Sequence, residues 1–259
     1  MRLVLVGWGA ISAEVARLLA ARKAPVKLVG VGQRTPVQNL PYPAIATPSD
    51  LAAFHPDLVV EAAGRSAVLP WGEAALQAGA DFAPASTSAF AEDAPLDRLL
   101  TLARSRGRQV LIPSGALGGL DALSAAARQP LACVIHEITK PALAWRGTEA
   151  EALCDLSTLT HPHIFFEGPA REAARRFPQN ANVALITALA GVGPDATTLR
   201  LVADPAATGN RHRLLATGDF GRMEVTLDNA PLPGNPKSSA LTALSLVRLI
   251  ENRASPLVI

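Results

Sequence analysis

A glycine-containing turn near the start of the chain carries the first chemical signal. The segment VGWGAIS places Gly7, Gly9 and Ser12 directly after an apolar, strand-like run and at the beginning of a helix-like one. In a G-x-G-x-x-G turn the first glycine permits the tight bend, the second lets backbone amides approach a pyrophosphate, and the third position needs a small residue such as serine. The sequence therefore predicts a dinucleotide diphosphate bound by backbone amides of the turn and of the first helical residues, namely Gly7, Gly9, Ala10 and Ile11.

The end of the second predicted strand indicates which nucleotide binds. An acidic residue at this point would hydrogen-bond the ribose hydroxyls of NAD, but the segment GVGQRT carries Gln33 and Arg34 instead. A guanidinium suits a ribose 2′-phosphate through paired, charge-assisted hydrogen bonds, which favours NADP slightly over NAD. The alternatives are that Arg34 is a solvated loop residue or that it stacks on the adenine.

The candidate for acid–base chemistry is His212 in the segment NRHRLL. An unperturbed imidazole titrates near pH ~6.5 and serves as either acid or base. Taken alone, a histidine at the start of a strand is more often structural or exposed. His161 and His163 lie two residues apart and would suit a metal pair, but no third ligand is evident. A loop and a strand start, without a metal site, are predicted there.

The first half of the chain alternates strand-like and helix-like segments, and this alternation must position the glycine turn. Short apolar runs such as residues 3–6 are typical of strands buried on both faces. Repeated strand–helix alternation predicts a doubly wound, Rossmann-type parallel sheet. Ala63 and Gly64 follow the third predicted strand, at the carboxyl edge where such sheets bind cofactor. Further elements are predicted as helices at 71–79 and 95–105 and as strands at 81–86 and 109–115.

The pattern changes after the segment PSGALGGLDAL. Later segments such as ACVIHEIT and RMEVTLD show more polar–apolar alternation, which predicts a mainly antiparallel sheet. Helices are predicted at 169–176 and 183–190, and a final one at 236–252. We therefore expect a dinucleotide-binding domain over residues 1–118 and an α+β domain over 119–235, with a C-terminal helix (236–259) that packs back on the first domain.

The composition of the 259-residue chain limits its partners. Hydrophobic residues make up 49% and charged residues 18%, the formal net charge is +2, and the basic residues are spread along the chain, which argues against nucleic acid. No apolar run reaches the ~20 residues of a membrane helix, and the N-terminus lacks a signal-peptide layout. Cys133 and Cys154 have no metal-type spacing and are expected to be reduced. A cytoplasmic protein without membrane or nucleic-acid partners is expected.

Several longer segments resemble the L-aspartate dehydrogenases, a family that deaminates aspartate through iminoaspartate with NAD or NADP. The matching segments lie in order between residues 4 and 242: VGWGAIS, VVEAAG, STSAF, PSGALGGLDAL, KPALAW, FFEGPAREAARRFPQNANVA, VADPAATGNRH and NPKSSALT. PSGALGGLDAL, FPQNANVA and NPKSSALT are the most specific, because none is a general feature of nucleotide-binding folds. Ser12 departs from the glycine that is usual in the family, and Gln33 with Arg34 leaves the cofactor preference open.

The resemblance implies a reversible oxidative deamination of L-aspartate to iminoaspartate, which water converts to oxaloacetate and ammonia or which another enzyme consumes for NAD synthesis. It also implies that the α+β domain (119–235) is the substrate and dimerisation domain of a homodimer, with aspartate bound between the domains. The resemblance further implies cofactor contacts at Ala116 and Asn182, and His212 as the catalytic residue. From the residues alone, Asn182 equally suits capping of the helix that it begins. Ala116 equally suits an interdomain turn without a ligand.

A dicarboxylate substrate requires cations or several amide donors. Lysine is scarce in this chain, so Lys140 in TKPALAW and Lys237 in NPKSS are candidates for the two carboxylates, with Ser238 and Ser239 as helpers. An exposed lysine in solvent is the ordinary alternative for each of them. Asp204 in VADP either orients the catalytic histidine or only ends a strand.

Two other functions fit the same layout. One is a different two-domain NAD(P)-dependent reductase that acts on a semialdehyde, a sugar or a cyclic imine, and a panel of substrates separates it from an aspartate enzyme. The other is a non-catalytic NAD(P)-binding redox sensor, which would bind cofactor tightly without turning over any amino acid.

Overall fold

A computed structural model of the chain describes residues 1–35 and 40–259, with only the backbone for Gln179, Pro236 and Lys237. The chain divides into two compact units. Unit 1 comprises Met1–Gly115 together with Leu232–Ile259, and unit 2 comprises Ala116–Pro231.

Unit 1 is built on a parallel sheet, which has five strands in its described part in the order β3-β2-β1-β4-β5. The strands are β1 (Arg2–Val6), β2 (Lys27–Gly32), β3 (Ala44–Ile45), β4 (Leu58–Glu61) and β5 (Asp81–Pro84). The central strands are buried on both faces, and this explains why they consist of continuous apolar runs. The strand order reverses between β1 and β4, the point at which doubly wound sheets bind ligands. This part of the fold prediction is confirmed.

Helices cover the sheet of unit 1. They are α1 (Ala10–Ala21), α2 (Arg65–Gln77), α3 (Asp93–Arg106) and the C-terminal helix (Ala240–Ala254). The C-terminal helix contributes Leu246 and Ile250 to the same buried cluster as Leu3 and Leu5 of β1. The last 28 residues of the chain therefore complete the hydrophobic core of unit 1.

Three predicted elements of unit 1 differ from the structure. Helix α2 begins at Arg65, six residues before the predicted start at 71, and Pro70 lies inside it. The predicted strand at 109–115 contains only an isolated bridge from Val110 to Phe82; Pro113 has no amide to continue the ladder. The final helix begins at Ala240 rather than 236, because Ser239 caps it.

Unit 2 contains a second sheet, with strands in the order β10-β9-β6-β8-β7 in the described chain. Its strands are β6 (Leu131–Pro141), β7 (His163–Pro169), β8 (Thr198–Asp204), β9 (Asn210–Gly218) and β10 (Gly221–Asn229). The pairs are antiparallel except that β6 and β8 run parallel, so the sheet is mainly antiparallel, as predicted, but mixed. Its helices are α4 (Leu120–Ala126), α5 (Ala150–Leu153), α6 (Ala170–Arg176) and α7 (Ala181–Ala190), and the short strands β11 (Pro231–Leu232) and β12 (Asn235–Ser239) precede the C-terminal helix.

The described residues contain neither a candidate membrane span nor a candidate metal cluster. No helix in residues 1–35 and 40–259 has the length and apolar character needed to cross a bilayer. In the same residues, no three or more His, Cys, Asp and Glu side chains are grouped so that they could hold a metal ion. Cys133 and Cys154 are both free thiols.

Candidate active site

Two glycines with different constraints shape the turn after β1. Gly7 has a φ of +88°, and a Cβ atom there would lie 2.7 Å from Cα of Ala63 and 2.9 Å from the carbonyl oxygen of Ala62. Glycine is required at this position, because both the backbone conformation and the close approach of the β4 loop exclude a side chain. Gly9 has an extended backbone, with φ −94°, and a Cβ there would meet no described atom within 4 Å. Gly9 therefore keeps space open in front of helix α1.

The N-terminus of helix α1 faces this space. Within the described chain the helix has neither a side-chain cap nor an acidic residue in its first turn. The first amides of such a helix have no partner within the helix itself and carry the partial positive charge of the helix dipole. Ser12, at the third glycine position, is 2% exposed, and its hydroxyl has no hydrogen-bond partner among the described residues. Serine thus fits the close helix–strand contact at the cost of one unpartnered hydroxyl.

The glycine turn lies on a cleft of about 680 Å³ within unit 1, a size typical of cofactor sites. Gly7, Gly9 and Ala63 line it together with Gln33 and Arg34 from the end of β2. The Arg34 side chain is exposed and forms no ion pair within the part of the chain that the structure describes. Uncapped amides suit a diphosphate, and an unpaired guanidinium suits a further phosphate or an adenine ring. The cleft therefore fits a dinucleotide.

A buried carboxylate, not foreseen from the sequence, joins two loops at this edge of the sheet. Glu61 ends β4 with 0% exposure. Its Oε1 accepts hydrogen bonds from the amides of Ala63 (2.8 Å) and Gly64 (2.7 Å) and from the hydroxyl of Ser86 (3.0 Å), while Oε2 accepts from the Ser86 amide (3.2 Å). Burial raises the pKa of the Glu61 carboxyl, although these hydrogen bonds oppose the shift. Glu61 thereby positions two predicted cofactor residues, Ala63 and Gly64.

In unit 2 the strand register gathers titratable side chains on one face of the sheet. His212 of β9 lies opposite Ile138 of β6. Because side chains alternate between the faces of a strand, His136 and Lys140 share the face of Ile138 and His212. His136 was not predicted as a site residue. Its alternation with the buried Val134 and Ile138 was the available signal, since a histidine on an apolar face requires a buried partner.

The two histidines are in contact and belong to a longer chain of polar groups. Nε2 of His136 lies 3.1 Å from Nδ1 of His212. On its other side, Nδ1 of His136 lies 2.9 Å from Oγ1 of Thr187, which donates to the carbonyl oxygen of Val183 at 3.1 Å. Asp204 accepts instead from the amide of Ala206. The prediction that Asp204 orients His212 is not supported, because His136 takes the Nδ1 side of the ring.

Lys140 provides a cation beside His212. Its side chain is half-buried, and Nζ lies 4.6 Å from the centroid of the Trp145 ring. Among the described residues no carboxylate pairs with it, and burial lowers the pKa of the Lys140 ammonium to about 8. Burial, and secondarily the charge of Lys140, lowers the pKa of His212 to about 4. The site therefore combines a neutral imidazole with a cation that has no carboxylate partner among the described side chains.

The two predicted cofactor residues of unit 2, Ala116 and Asn182, lie outside the strands that carry the two contacting histidines. Ala116 is buried, and its carbonyl oxygen accepts a hydrogen bond from Nδ2 of Asn229 at 3.0 Å. Helix α7 begins at Ala181, so Asn182 is its second residue and Asn180 occupies the cap position that the sequence assigned to Asn182. Asn182 is exposed.

The predicted substrate helpers near the C-terminus belong to unit 1. Oγ of Ser238 lies 3.1 Å from Nδ2 of Asn235, which donates to it. Oγ of Ser239 caps the C-terminal helix by accepting from the amide of Leu241 at 3.2 Å. The side chain of Lys237 lies outside the described residues. Each of the two serine hydroxyls therefore already accepts a hydrogen bond from a residue two or three positions away.

Comparison with known proteins covers the whole chain. Residues 121–253 match the family described as aspartate dehydrogenase, C-terminal, and residues 7–113 match the NAD-binding domain of homoserine dehydrogenase. The L-aspartate dehydrogenase of Brucella anthropi is 55% identical over 99% of this chain and 98% of its own length. L-aspartate dehydrogenase 2 of Bordetella bronchiseptica is 42% identical over 96% and 95%. The crystal structure of aspartate dehydrogenase from Thermotoga maritima has a TM-score of 0.80 at 27% identity and covers 100% of this chain and 99% of that one.

Alanine at each turn glycine separates the two roles described above. Gly7→Ala should lower the free energy of unfolding by roughly 1–3 kcal/mol, because its methyl group meets the Ala63 backbone at a positive φ. Gly9→Ala should stay within about 1 kcal/mol of the wild type but weaken nucleotide binding, because its methyl group enters the open space before α1. Urea denaturation without nucleotide and calorimetric titration with NAD and NADP measure the two effects. Equal destabilisation by both substitutions would contradict the assignment.

Proposed function

The chain belongs to the L-aspartate dehydrogenase family, and from this membership we propose that it catalyses the NAD(P)-dependent oxidative deamination of L-aspartate. The substrate loses a hydride from Cα and a proton from its amino group to give iminoaspartate, and water then releases ammonia and oxaloacetate. The observation that carries the proposal is the neutral, buried imidazole of His212 beside the ammonium of Lys140. Together they offer a base and an anion-binding group on one face of a sheet.

The cleft of unit 1 supports the cofactor part of the proposal. When bound, a nicotinamide nucleotide supplies the acceptor for the hydride. The uncapped amides of α1 would hold its diphosphate, and the loops tied together by Glu61 would border it. The residues proposed to contact the cofactor are Gly7, Gly9, Ala10, Ile11, Arg34, Ala63, Gly64, Ala116 and Asn182.

His212 is proposed to handle the protons of the reaction. Because its pKa is lowered to about 4, the ring is neutral near pH 7 and has an unprotonated nitrogen that can accept a proton from the amino group or from the attacking water. Part of that lowering comes from the charge of Lys140. A substrate carboxylate that neutralises Lys140 therefore raises the pKa of His212 and makes it a stronger base once aspartate is bound.

Lys140 is proposed to bind one substrate carboxylate. A half-buried ammonium is costly unless an anion compensates its lost hydration, and no such anion is found among residues 1–35 and 40–259. A carboxylate of aspartate would supply that partner through a charge-assisted hydrogen bond. Lys237, Ser238 and Ser239 remain the predicted contacts for the second carboxylate.

Three finer properties are also proposed. Arg34 favours NADP over NAD, since its guanidinium lines the cleft without an ion-pair partner among the described residues. The two free thiols agree with a reducing, cytoplasmic environment. A homodimer is expected from the family resemblance, and light scattering at several protein concentrations tests it.

Replacing His212 by asparagine tests the proton-handling role. His212→Asn retains a donor near the Nδ1 position, which can still bond to His136, but removes the Nε2 atom. We expect kcat for aspartate oxidation to fall roughly 10²–10⁴-fold with nucleotide affinity unchanged, whereas His163→Asn, at an exposed histidine, retains activity. The measurement is the absorbance of the reduced nicotinamide with each cofactor.

Three results of the same assay would contradict the proposal. A near-normal His212→Asn variant would remove the role of the imidazole. Turnover of alanine, glutamate or homoserine without turnover of aspartate would remove the substrate assignment. Tight nucleotide binding with no turnover of any amino acid would favour a redox sensor.

Replacing Lys140 by methionine tests the carboxylate contact and its electrostatic effect together. We expect kcat/KM for aspartate to fall roughly 10–150-fold, the loss expected for about 1.5–3 kcal/mol of a charged hydrogen bond. The pKa of His212 should rise from about 4 towards its ordinary value without reaching it, because burial remains the larger cause. Lys27→Met, at an exposed lysine, is the control. An unchanged KM and an unchanged His212 pKa, measured by NMR titration, would refute both roles.

Replacing Arg34 by alanine tests the choice of nucleotide. If the guanidinium binds the 2′-phosphate, the dissociation constant for NADP should rise roughly 10-fold or more while that for NAD changes little. Arg108→Ala removes an exposed arginine elsewhere in unit 1 and serves as the control. Equal losses for the two nucleotides would exclude a 2′-phosphate contact and favour stacking on the adenine.

A further inference from the structure

Behind His212 a chain of buried polar groups ends on a carbonyl of helix α7. It runs from Nδ1 of His212 to Nε2 of His136, from Nδ1 of His136 to Oγ1 of Thr187, and from there to the oxygen of Val183. The three distances are 3.1, 2.9 and 3.1 Å. His136 and Thr187 are both 0% exposed, so bulk water does not compete for these contacts.

The number of protons in this chain determines its direction. The carbonyl of Val183 only accepts, and the hydroxyl of Thr187 has a single proton. If that proton goes to the carbonyl, the hydroxyl must accept from Nδ1–H of His136. A neutral imidazole carries one N–H, so Nε2 of His136 then accepts, and the proton between the two rings belongs to Nδ1 of His212.

The opposite direction leaves one contact unsatisfied. If Thr187 donated to His136, the 3.1 Å contact between its hydroxyl and the oxygen of Val183 would contain no proton. An unmade hydrogen bond between buried groups is unfavourable. His136 also stays neutral, because burial and the neighbouring His212 lower its pKa well below the ordinary value. Each of the two imidazole rings therefore carries one N–H proton.

We infer that His136, oriented by Thr187, is a positioning residue that keeps the proton of His212 on Nδ1 and leaves Nε2 unprotonated. This inference rests on the proposed function, in which His212 is the base. When Nε2 accepts a proton from the substrate, Nδ1–H of the resulting imidazolium still has Nε2 of His136 as its acceptor. The ring thus keeps one orientation through the reaction.

The tautomer can be observed without any activity measurement. Long-range ¹H–¹⁵N NMR spectra of protein labelled with ¹⁵N-histidine distinguish protonated from unprotonated ring nitrogens. The chain has five histidines, and the His212→Asn variant identifies the signals of His212. We expect Nδ1 protonated and Nε2 unprotonated at pH 7 in the protein without ligands. A proton on Nε2 of His212 would overturn the inference.

Two matched substitutions at Thr187 test the effect on the reaction. Thr187→Val removes the hydroxyl at nearly constant volume, so we expect both tautomers of His212 in the spectra and a roughly 10-fold lower kcat with KM for aspartate unchanged. Thr187→Ser keeps the hydroxyl and should restore the single tautomer and most of kcat. Equal kcat values for the two variants, with both folded by circular dichroism, would contradict the role of Thr187.

Substitutions at His136 keep the inference testable even if Thr187→Val does not fold. The side-chain oxygen of His136→Gln can accept from Nδ1–H of His212, whereas His136→Leu offers no acceptor. We expect glutamine to retain most of kcat and leucine to lose roughly 10–100-fold. Equal activity of the two would overturn the inference.

The outcomes separate this inference from the proposed function. A wild-type protein that carries the proton on Nδ1 but oxidises no aspartate would lose the proposed function and keep the hydrogen-bond chain. A wild-type protein that oxidises aspartate with the proton on Nε2 would keep the function and lose the inference.

Discussion

The contact between the imidazoles of His136 and His212 is the interaction on which the proposed proton transfer depends. Both rings are buried, so each is neutral and each must direct its single N–H at a defined acceptor. The pairing of β6 with β9 brings the rings together, because it places His212 opposite Ile138. His136 lies two residues before Ile138 on β6, on the same face of the sheet. A shift of that pairing by one residue would move His212 to the other face of the sheet.

In the proposed reaction, the charge of Lys140 connects this buried pair of histidines to the substrate. A cation near a neutral base weakens the base, and an anion that neutralises the cation strengthens it again. The half-buried ammonium is thus unfavourable in the free protein and favourable once a carboxylate is bound. The proposal therefore links binding of a dicarboxylate and activation of the base through one side chain.

In unit 1 the limiting constraint is backbone geometry rather than charge. The turn at Gly7 approaches Ala63 so closely that no side chain fits, and Glu61 holds the same β4 loop through its amides. The amides of α1 remain uncapped as a result of Gly9. The proposed nucleotide contacts are therefore made by main-chain groups, which tolerate changes in neighbouring side chains such as serine at position 12.

The sequence by itself determined the doubly wound sheet, the glycine turn and the choice of Lys140 as a candidate, because periodicity, turn chemistry and scarce residue types are local signals. The choice of His212 rested on the family resemblance, because a lone histidine at the start of a strand is more often structural or exposed. The sequence pattern misplaced the start of α2 by six residues, and it assigned a strand at 109–115 where only one bridge forms. Only the tertiary structure showed that His136 contacts the His212 ring and that Thr187 contacts His136. These residues lie 76 and 51 positions apart from their partners along the chain, and strand pairing and helix packing, not local pattern, bring them within hydrogen-bonding distance.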